Sequence, residues 1–311
     1  MRLVNDKEER REPIEVDLLA VISQGFLCSL GMMTFFLSPL PIIHAHLKLV
    51  NPWAKVATLL GAILAIVMLE LPVVAVVLCF VIGIYIADNY QNEMPFWKNL
   101  STTVVIATAI GFGALLLNAS LEKLTILEYG TRAIDSFLKV AEQSIKLNDG
   151  SVQWSDIRSV LIYQGPYFFV SSSILLFWFS VGMAAHLEWV KDTHPYSARA
   201  LRQLRVPNTI ILAFIAVFAL NATVTGPFHH LVSGVFRVLG TIIFIQGIVT
   251  LSNAMALKGA GRGARAIVYV FSCTVAFYAV IGLGVLSPWF FRKNRDRLAE
   301  KQDVKLEEVS V

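Results

Sequence analysis

The chain has 311 residues, of which 56% are hydrophobic and only 15% are charged, and its mean hydropathy is +0.65. A soluble domain carries about a quarter charged residues, so this composition excludes an ordinary soluble protein and indicates that lipid surrounds most of the chain. The net charge of +4 belongs to loops and termini, which argues against a nucleic-acid-binding face.

The three cysteines, Cys28, Cys79 and Cys273, stand alone in apolar runs. This pattern predicts neither a disulfide framework nor a zinc site.

Residues 1–17 form a polar tail with four basic residues, which the positive-inside rule places in the cytoplasm. Eight apolar runs follow, and most approach the about 20 residues that cross about 30 Å of hydrocarbon. They are Leu18–Leu37, Ala54–Leu69, Val73–Ala87, Leu100–Leu117, Tyr167–Leu187, Asn208–Val224, Val235–Ala256 and Ala266–Leu286. The second and third runs are short and nearly continuous, which predicts a tight helical hairpin with Pro72 early in its second helix.

The stretch "PLPIIHAHLK" after the first run decides the topology of everything that follows. If residues 39–49 are a loop, the chain has eight spans and both termini lie inside. If they cross as a short or re-entrant span, there are nine, and the polar insert and the C-terminus lie outside. The totals of Lys and Arg on each side barely differ between the two topologies. We favour the crossing because it places every tight basic loop inside, but ten residues rise only about 15 Å as a helix. The sequence leaves both topologies open.

Residues 119–165 form a polar insert between the fourth and fifth runs. Apolar residues recur within it at helical spacing, and charged residues fall elsewhere, which predicts an amphipathic helix. The apolar positions are Ile134, Phe137, Leu138, Ala141 and Ile145. We expect "NDG" at 148–150 to end this helix and Ser155 or Asp156 to begin a short helix toward the next span. The apolar stripe of the amphipathic helix must contact either the membrane surface or the mouth of the helical bundle.

Short motifs in the C-terminal third follow one another in order: "IQG" at 245–247, a basic loop, "LG" at 283–284, and an aromatic segment that ends in "RK". Together with "PLPII" at 39–43 and "LRQLRVPNTI" at 201–210, they resemble the YybS-like family of bacterial membrane proteins, a domain of unknown function. The resemblance covers nearly the whole chain. That family often has an Asp after the last "LG", where this chain has Ser287 and Pro288.

The N-terminal layout is more distantly similar to two other groups of membrane proteins. A proline-rich break after the first span leads into a short helix and a hairpin in the substrate-binding (S) subunits of energy-coupling-factor vitamin transporters. The rod-shape protein MreD is similar for the same reason. These resemblances imply either a fold for small-molecule capture and transport or a scaffold of the cell envelope.

Five polar residues in or beside apolar runs are candidate ligand-binding residues: Glu70, Gln246, Asn253, His44 and His46. A charge at bilayer depth costs about 2.5–3.5 kcal/mol, so Glu70 needs a function or a partner unless its turn reaches the headgroups. Gln246 and Asn253 are seven residues apart and share one helix face, where they bind either a neighbouring helix or a ligand. The two histidines are two residues apart and point to different sides of a helix, which disfavours a metal site.

The sequence therefore predicts an all-α, polytopic transmembrane bundle of eight or nine spans with an amphipathic insert. It divides into a polar tail over 1–17, one transmembrane domain over 18–290 and a charged tail over 291–311. The first hypothesis is a solute-binding, transport-related protein of S-subunit type in the bacterial inner membrane. Since no nucleotide-binding motif is present, it needs a separate energising module. The alternative is a non-transporting envelope scaffold that binds other membrane proteins. No catalytic motif was found, and we expect no enzyme, metal, cofactor or nucleic-acid partner.

Overall fold

The computed structural model describes residues 18–33, 38–71, 73–144, 154–185 and 194–261, together with 264, 267–269, 271–272 and 276–288. Within these residues the backbone forms α-helices and no β-strand, which confirms the all-α prediction for the described part of the chain. The helices are α1 (Leu18–Met33), α2 (Pro39–Lys48), α3 (Asn51–Val67), α4 (Val73–Gln91), α5 (Phe96–Leu121), α6 (Ile126–Ser144), α7 (Trp154–Ala184), α8 (Ala198–Arg202), α9 (Asn208–Thr223), α10 (Pro227–Leu257) and α11 (Phe277–Pro288).

Among the described helices, three are long and apolar enough to cross a membrane by length and composition. Their apolar segments are Phe96–Leu121, Trp154–Ala184 and Phe228–Met255. Shorter apolar helices occupy the other predicted runs, so each of the eight runs overlaps a helix. The chain is therefore a helical membrane protein, while its number of spans stays a prediction.

The chain divides into two compact units: residues 1–110 and 179–191 form unit 1, and residues 111–178 and 192–311 form unit 2. Helices α5 and α7 contribute residues to both. The prediction of one transmembrane domain over 18–290 is not tested by this division. The tails over 1–17 and 291–311 and the "NDG" segment lie outside the described residues.

In unit 1, α1 crosses α3 with almost no side chain between the two backbones. The buried face of α3 consists of small residues three or four positions apart: Ala54, Ala57, Thr58, Gly61, Ala62 and Ala65. A Cβ atom added to Gly61 would lie 2.7 Å from the carbonyl oxygen of Gly25 and 2.6 Å from Cβ of Cys28. Small residues allow this approach, which gains van der Waals contact where lipid supplies no hydrophobic driving force between helices.

The stretch "PLPIIHAHLK" is helix α2, with a proline in its first turn where the missing N–H costs nothing. It packs on α4, and the side chain of Ile42 occupies the place that a Cβ on Gly83 would take. Ile42, Ile43, Ala45 and His46 are buried. The stretch is therefore a packed helix rather than an extended loop. Its ten residues span about 15 Å.

Charged residues in the left-handed conformation follow three helices. Glu70, Glu93 and Lys123 have φ angles of 51°, 53° and 56° and come after α3, α4 and α5. After Glu93 and Lys123 the next N–H returns to the helix, from Met94 to the carbonyl of Asn89 and from Leu124 to that of Ala119. Glycine normally occupies this position because it has no Cβ to strain.

In unit 2, α10 and α11 approach through two glycines. A Cβ on Gly247 would overlap the carbonyl oxygen of Val280, and a Cβ on Gly284 would overlap that of Ile243. Because the pairing runs in opposite directions along the two helices, they cross antiparallel. The motifs "IQG" and "LG" thus meet at a helix crossing.

The polar insert contains the amphipathic helix α6, as the spacing predicts, but its neighbour differs from expectation. Instead of a short helix followed by a span from Tyr167, one helix of 31 residues, α7, runs from Trp154 through Pro166 to Ala184. Proline lacks an N–H and disfavours a helix interior, yet Pro166 lies within α7. Proline is tolerated within transmembrane helices, where neighbours satisfy the freed backbone group.

Candidate functional site

The five candidate residues lie in different surroundings, and Glu70 is the most exposed of them. It lies in the turn between α3 and α4 and is exposed. The N–H of the next residue, Leu71, donates to the carbonyl of Ala65 at 3.2 Å. Glu70 thus occupies a helix-ending turn.

His46 is completely buried in α2. Its ring Nδ1 lies 2.9 Å from the carbonyl oxygen of Ile42 one turn earlier. A carbonyl oxygen can only accept, so Nδ1 carries the hydrogen, and Nε2 of the neutral ring carries the lone pair. The tautomer is therefore fixed by the helix itself, and Nε2 points away from it toward α4.

Asp88 near the end of α4 faces this nitrogen. Its Oδ1 lies 3.7 Å from Nε2 of His46, and its Oδ2 lies 3.2 Å from Nζ of Lys55 in α3. The side chains of Asp88 and Lys55 are 30% and 46% exposed, whereas that of His46 is not exposed at all. Gln91, one turn after Asp88, donates its side-chain N–H to the backbone carbonyl of His46. Three helices thus supply a histidine, a carboxylate and an ammonium group at one cluster.

Further polar side chains are buried or half-buried among the helices of unit 1. Nδ1–H of His44 donates to Oε1 of Gln24 in α1 at 2.8 Å. Asn99 in α5 is fully buried, and its Oδ1 accepts from Asn89 of α4 at 3.2 Å and from Thr103 at 3.3 Å. We call the set His46, Asp88, Lys55, His44, Gln24, Asn89, Asn99 and Thr103 the polar cluster of unit 1. Buried polar groups cost stability unless they are bonded, so a membrane protein retains few of them without need.

Gln246 and Asn253 belong to α10 in unit 2. Gln246 is 1% exposed, and its Oε1 accepts the backbone N–H of Val206 at 2.9 Å. Val206 lies within the motif "LRQLRVPNTI", just before α9. Gln246 thus fixes the residue before the start of α9 against α10, which is a structural contact rather than a contact with a ligand. Asn253 is half-buried on the same helix, and its side chain has no hydrogen bond to another described residue.

The described part of unit 1 also has a shallow, open hollow of about 250 Å³. It is lined by Tyr85, Ser101, Thr102, Val105 and Ile106. None of the five candidate residues lines it. No group of three or more His, Cys, Asp or Glu side chains that could hold a metal ion occurs within the described residues.

The polar contacts of α6 in unit 2 are exposed ones. Thr125 and Glu128 form a capping box, in which the Thr125 N–H donates to Glu128 Oε2 at 2.8 Å. Hydrogen bonds from the Thr125 side chain and backbone lower the pKa of the Glu128 carboxyl. Arg158 of α7 binds Asp135 through two parallel hydrogen bonds of 2.5 and 3.0 Å. These bonds, the largest cause, and the charge of Arg158 lower the pKa of Asp135.

The sequence reasoning missed Asp88, Lys55 and the pair Asn89 and Asn99. Asp88 comes directly after the apolar run Val73–Ala87, and the carboxylate itself was the available signal. It looked like an ordinary residue at the end of a span. Only the packing of α2 on α4 brings the buried histidine to it.

Comparison with known proteins identifies a family but no characterised relative. The search of curated proteins found no match, and the search of solved structures found none either. A family model described as "Predicted membrane protein (DUF2232)" matches residues 18–286, which include every described helix from α1 to α10 and most of α11. The chain therefore belongs to the DUF2232 family of predicted membrane proteins.

Proposed function

We propose that the protein binds a small polar solute within the bacterial inner membrane and takes part in its transport. In this proposal it has eight or nine spans and resembles the S subunits of energy-coupling-factor transporters, with MreD and the YybS-like proteins as further relatives. It captures the solute, and a separate energising module supplies the energy, because the chain has no nucleotide-binding motif. The proposal assigns it no enzymatic chemistry.

The observation that carries the proposal is the polar cluster of unit 1. Its side chains come from α1, α2, α3, α4 and α5, and several are fully buried. A helical bundle that only had to be stable in lipid could fill these positions with apolar residues at lower cost. Polar and ionisable side chains in membrane helices typically line the paths and sites of solutes and ions. Solute binding explains why they converge here.

A thermal-stability screen of the full-length purified protein tests this proposal. Water-soluble vitamins are the probes, since they are the solutes that the S-subunit resemblance implies. A vitamin that binds the folded state stabilises it by about 2.7 kcal/mol at 100 times its Kd. We expect at least one vitamin to raise the melting temperature and Gln24→Leu to reduce that shift. Asn118→Leu should leave the shift unchanged, because within the described residues the Asn118 side chain bonds only its own helix, at the carbonyl of Ala114.

A panel in which no vitamin changes the melting temperature would remove S-subunit-type vitamin binding. A shift that survives Gln24→Leu and also His44→Leu would place the binding site outside the polar cluster.

A scaffold that binds other membrane proteins is the second candidate function, and the exposed apolar residues of α6 favour it. Leu127 and Phe137 are 71% and 63% exposed on this amphipathic helix.

A photo-crosslinking amino acid in place of Phe137 shows whether lipid or another protein contacts that face of α6 in native membranes. Crosslinks to lipid alone would indicate an interfacial helix, whereas one reproducible membrane-protein adduct, absent when the crosslinker replaces Lys139, would support the scaffold.

A further inference from the structure

His46 and Asp88 bring two hydrogen-bond acceptors face to face. Nδ1–H of His46 is taken by the carbonyl of Ile42, so the neutral ring presents a lone pair at Nε2. That lone pair lies 3.7 Å from Oδ1 of Asp88, and a carboxylate oxygen only accepts. Neither atom has another hydrogen-bond partner among the described residues. Two opposed acceptors repel each other, and a single added hydrogen would turn this repulsion into a bond.

The separation of the two atoms favours a proton over a water bridge. An N–H···O bond to a carboxylate is about 2.8 Å long, so a displacement of about 1 Å would close the present gap. A water molecule bonded to both atoms with near-tetrahedral geometry would hold them about 4.5 Å apart. The observed 3.7 Å is too short for that bridge.

Among the described residues, the helices that pack on α2 bring few charged side chains to the pair. Helix α3 contributes Lys55, 3.2 Å from the other oxygen of Asp88. Helix α2 itself contributes His44 and Lys48, and α1 has no Asp, Glu, Lys, Arg or His between residues 18 and 33. With His46 neutral, Lys55 balances Asp88. With His46 protonated, the imidazolium and the ammonium group compete for one carboxylate.

We propose that His46 and Asp88 form a proton-binding site, in which a proton adds to Nε2 of His46 and is then donated in a hydrogen bond to Oδ1 of Asp88. No other bond forms or breaks. Solvent delivers the proton through Asp88, which is 30% exposed, to the histidine behind it, which is not. This proton-binding site does not depend on the proposed solute, so a test of one proposal does not decide the other.

Contacts of the backbone around His46 link proton binding to the packing of α2 on α4. Gln91 of α4 donates to the backbone carbonyl of His46, and Ile42 lies against Gly83. Drawing His46 toward Asp88 loosens the competing contact of Lys55 and tightens α2 against α4. Proton binding therefore biases how firmly α2 is held, at a helix that lies within the polar cluster.

Histidine NMR on the full-length protein in detergent tests the site directly. Carbon-13 at Cε1 of the histidines gives six signals, one for each histidine, and His46→Gln identifies the signal of His46. The spectra are recorded from pH 4.5 to 8.5 for the unchanged protein, Asp88→Asn, Lys55→Met and the control Asp135→Asn. The control removes the same charge from an exposed ion pair.

We expect the His46 signal to titrate and Asp88→Asn to lower its midpoint by about 1–3 pH units, since a nearby carboxylate favours the charged ring by that amount. Lys55→Met should raise the midpoint, and Asp135→Asn should not move it. No titration within this range, or a midpoint unchanged by Asp88→Asn, would overturn the proposal. A signal that moves with added Zn²⁺ at constant pH but not with pH would overturn it in favour of a metal site. The vitamin screen is unaffected by any of these results.

Discussion

Two aspartates show how differently the two regions of this protein use charge. Asp135 on the amphipathic helix α6 accepts two short hydrogen bonds from Arg158, and both side chains are nearly half exposed. Asp88 at the end of α4 divides its oxygens between an exposed lysine at 3.2 Å and a buried histidine at 3.7 Å. The first carboxylate is fully satisfied, whereas the second still lacks a hydrogen.

The difference comes from what surrounds each pair. Water screens Asp135 and Arg158, so their contact contributes little and could be lost without damage. His46 is withdrawn from water, and an unsatisfied polar group in such a place costs several times more. The region of α1 to α4 thus buries polar atoms that lack a hydrogen-bond partner among the described residues, while the polar contacts of α6 join exposed side chains.

The largest expected effect follows from closing the space between α1 and α3. Gly61→Ala places a methyl group 2.7 Å from the carbonyl oxygen of Gly25, and the helices must separate because backbone cannot turn aside. We expect a loss of about 3 kcal/mol, measured by thermal or denaturant unfolding in detergent. Gly113→Ala on α5 is the control, because nothing lies within 4 Å of its Cβ position. Equal stability of the two variants would show that the backbones do not touch.

A smaller loss is expected from the amide at the centre of the buried contacts. Asn99→Leu removes the acceptor of Asn89 and Thr103 and leaves both donors buried. The expected destabilisation is about 2 kcal/mol. Asn118→Leu on the same helix is the control and should be nearly neutral, since its amide bonds only its own helix in the part of the chain that the structure describes. If both variants melt alike, buried amides in this region contribute no more than peripheral ones.

A gain in stability is expected at the turn between α3 and α4. Glu70 holds a φ of 51°, a conformation that costs a residue with a Cβ about 1–2 kcal/mol and costs glycine little. After the extra entropy that glycine loses on folding, Glu70→Gly should stabilise the protein by about 0.5–1 kcal/mol. A marked loss of stability would instead show that the Glu70 carboxylate stabilises the fold, and a loss of vitamin binding would support the ligand role considered from the sequence.

The smallest effect is expected from acid and from Asp135. The folded-state pKa of Asp135 and that of Glu128 are both lowered. The hydrogen bonds of these two carboxylates therefore hold α6 in position fully at pH values above the ordinary carboxyl pKa. This contribution is lost as pH falls through the lowered folded-state pKa values. The chemical shift of the Arg158 Nε–H should therefore change as pH falls through the lowered pKa of Asp135, because the ion pair is lost there. Asp135→Asn should remove this pH-dependent change of shift without a measurable change in melting temperature. A clear drop in melting temperature would mean that this exposed pair stabilises the fold.

Much of the fold could be predicted from hydropathy and helical periodicity. Each of the eight apolar runs overlaps a helix, and the spacing of Ile134, Phe137 and Leu138 predicted α6. The residues at which the helices begin and end were less predictable. The sequence suggested a boundary near Pro166, but α7 continues through it, because a membrane helix keeps its hydrogen bonds even where one donor is missing.

The candidate site was only half predictable. His46 drew attention as a histidine in an apolar stretch, but its partner Asp88 lies 42 positions later and looked like the end of a span. Gln246 was expected on a shared face with Asn253, yet its partner is the backbone of Val206. Periodicity gives the face of a helix but does not identify the helix it meets.

The sequence by itself determined that this chain is a helical membrane protein, because apolar composition and the length of the runs depend only on the order of residues. Its tertiary structure decided which polar groups meet. The small-residue contact of α1 with α3 and the insertion of Ile42 at Gly83 set α2 against α4. That packing brings a buried histidine to within 3.7 Å of a carboxylate. Such a meeting depends on distances between helices, which no local pattern of residues specifies.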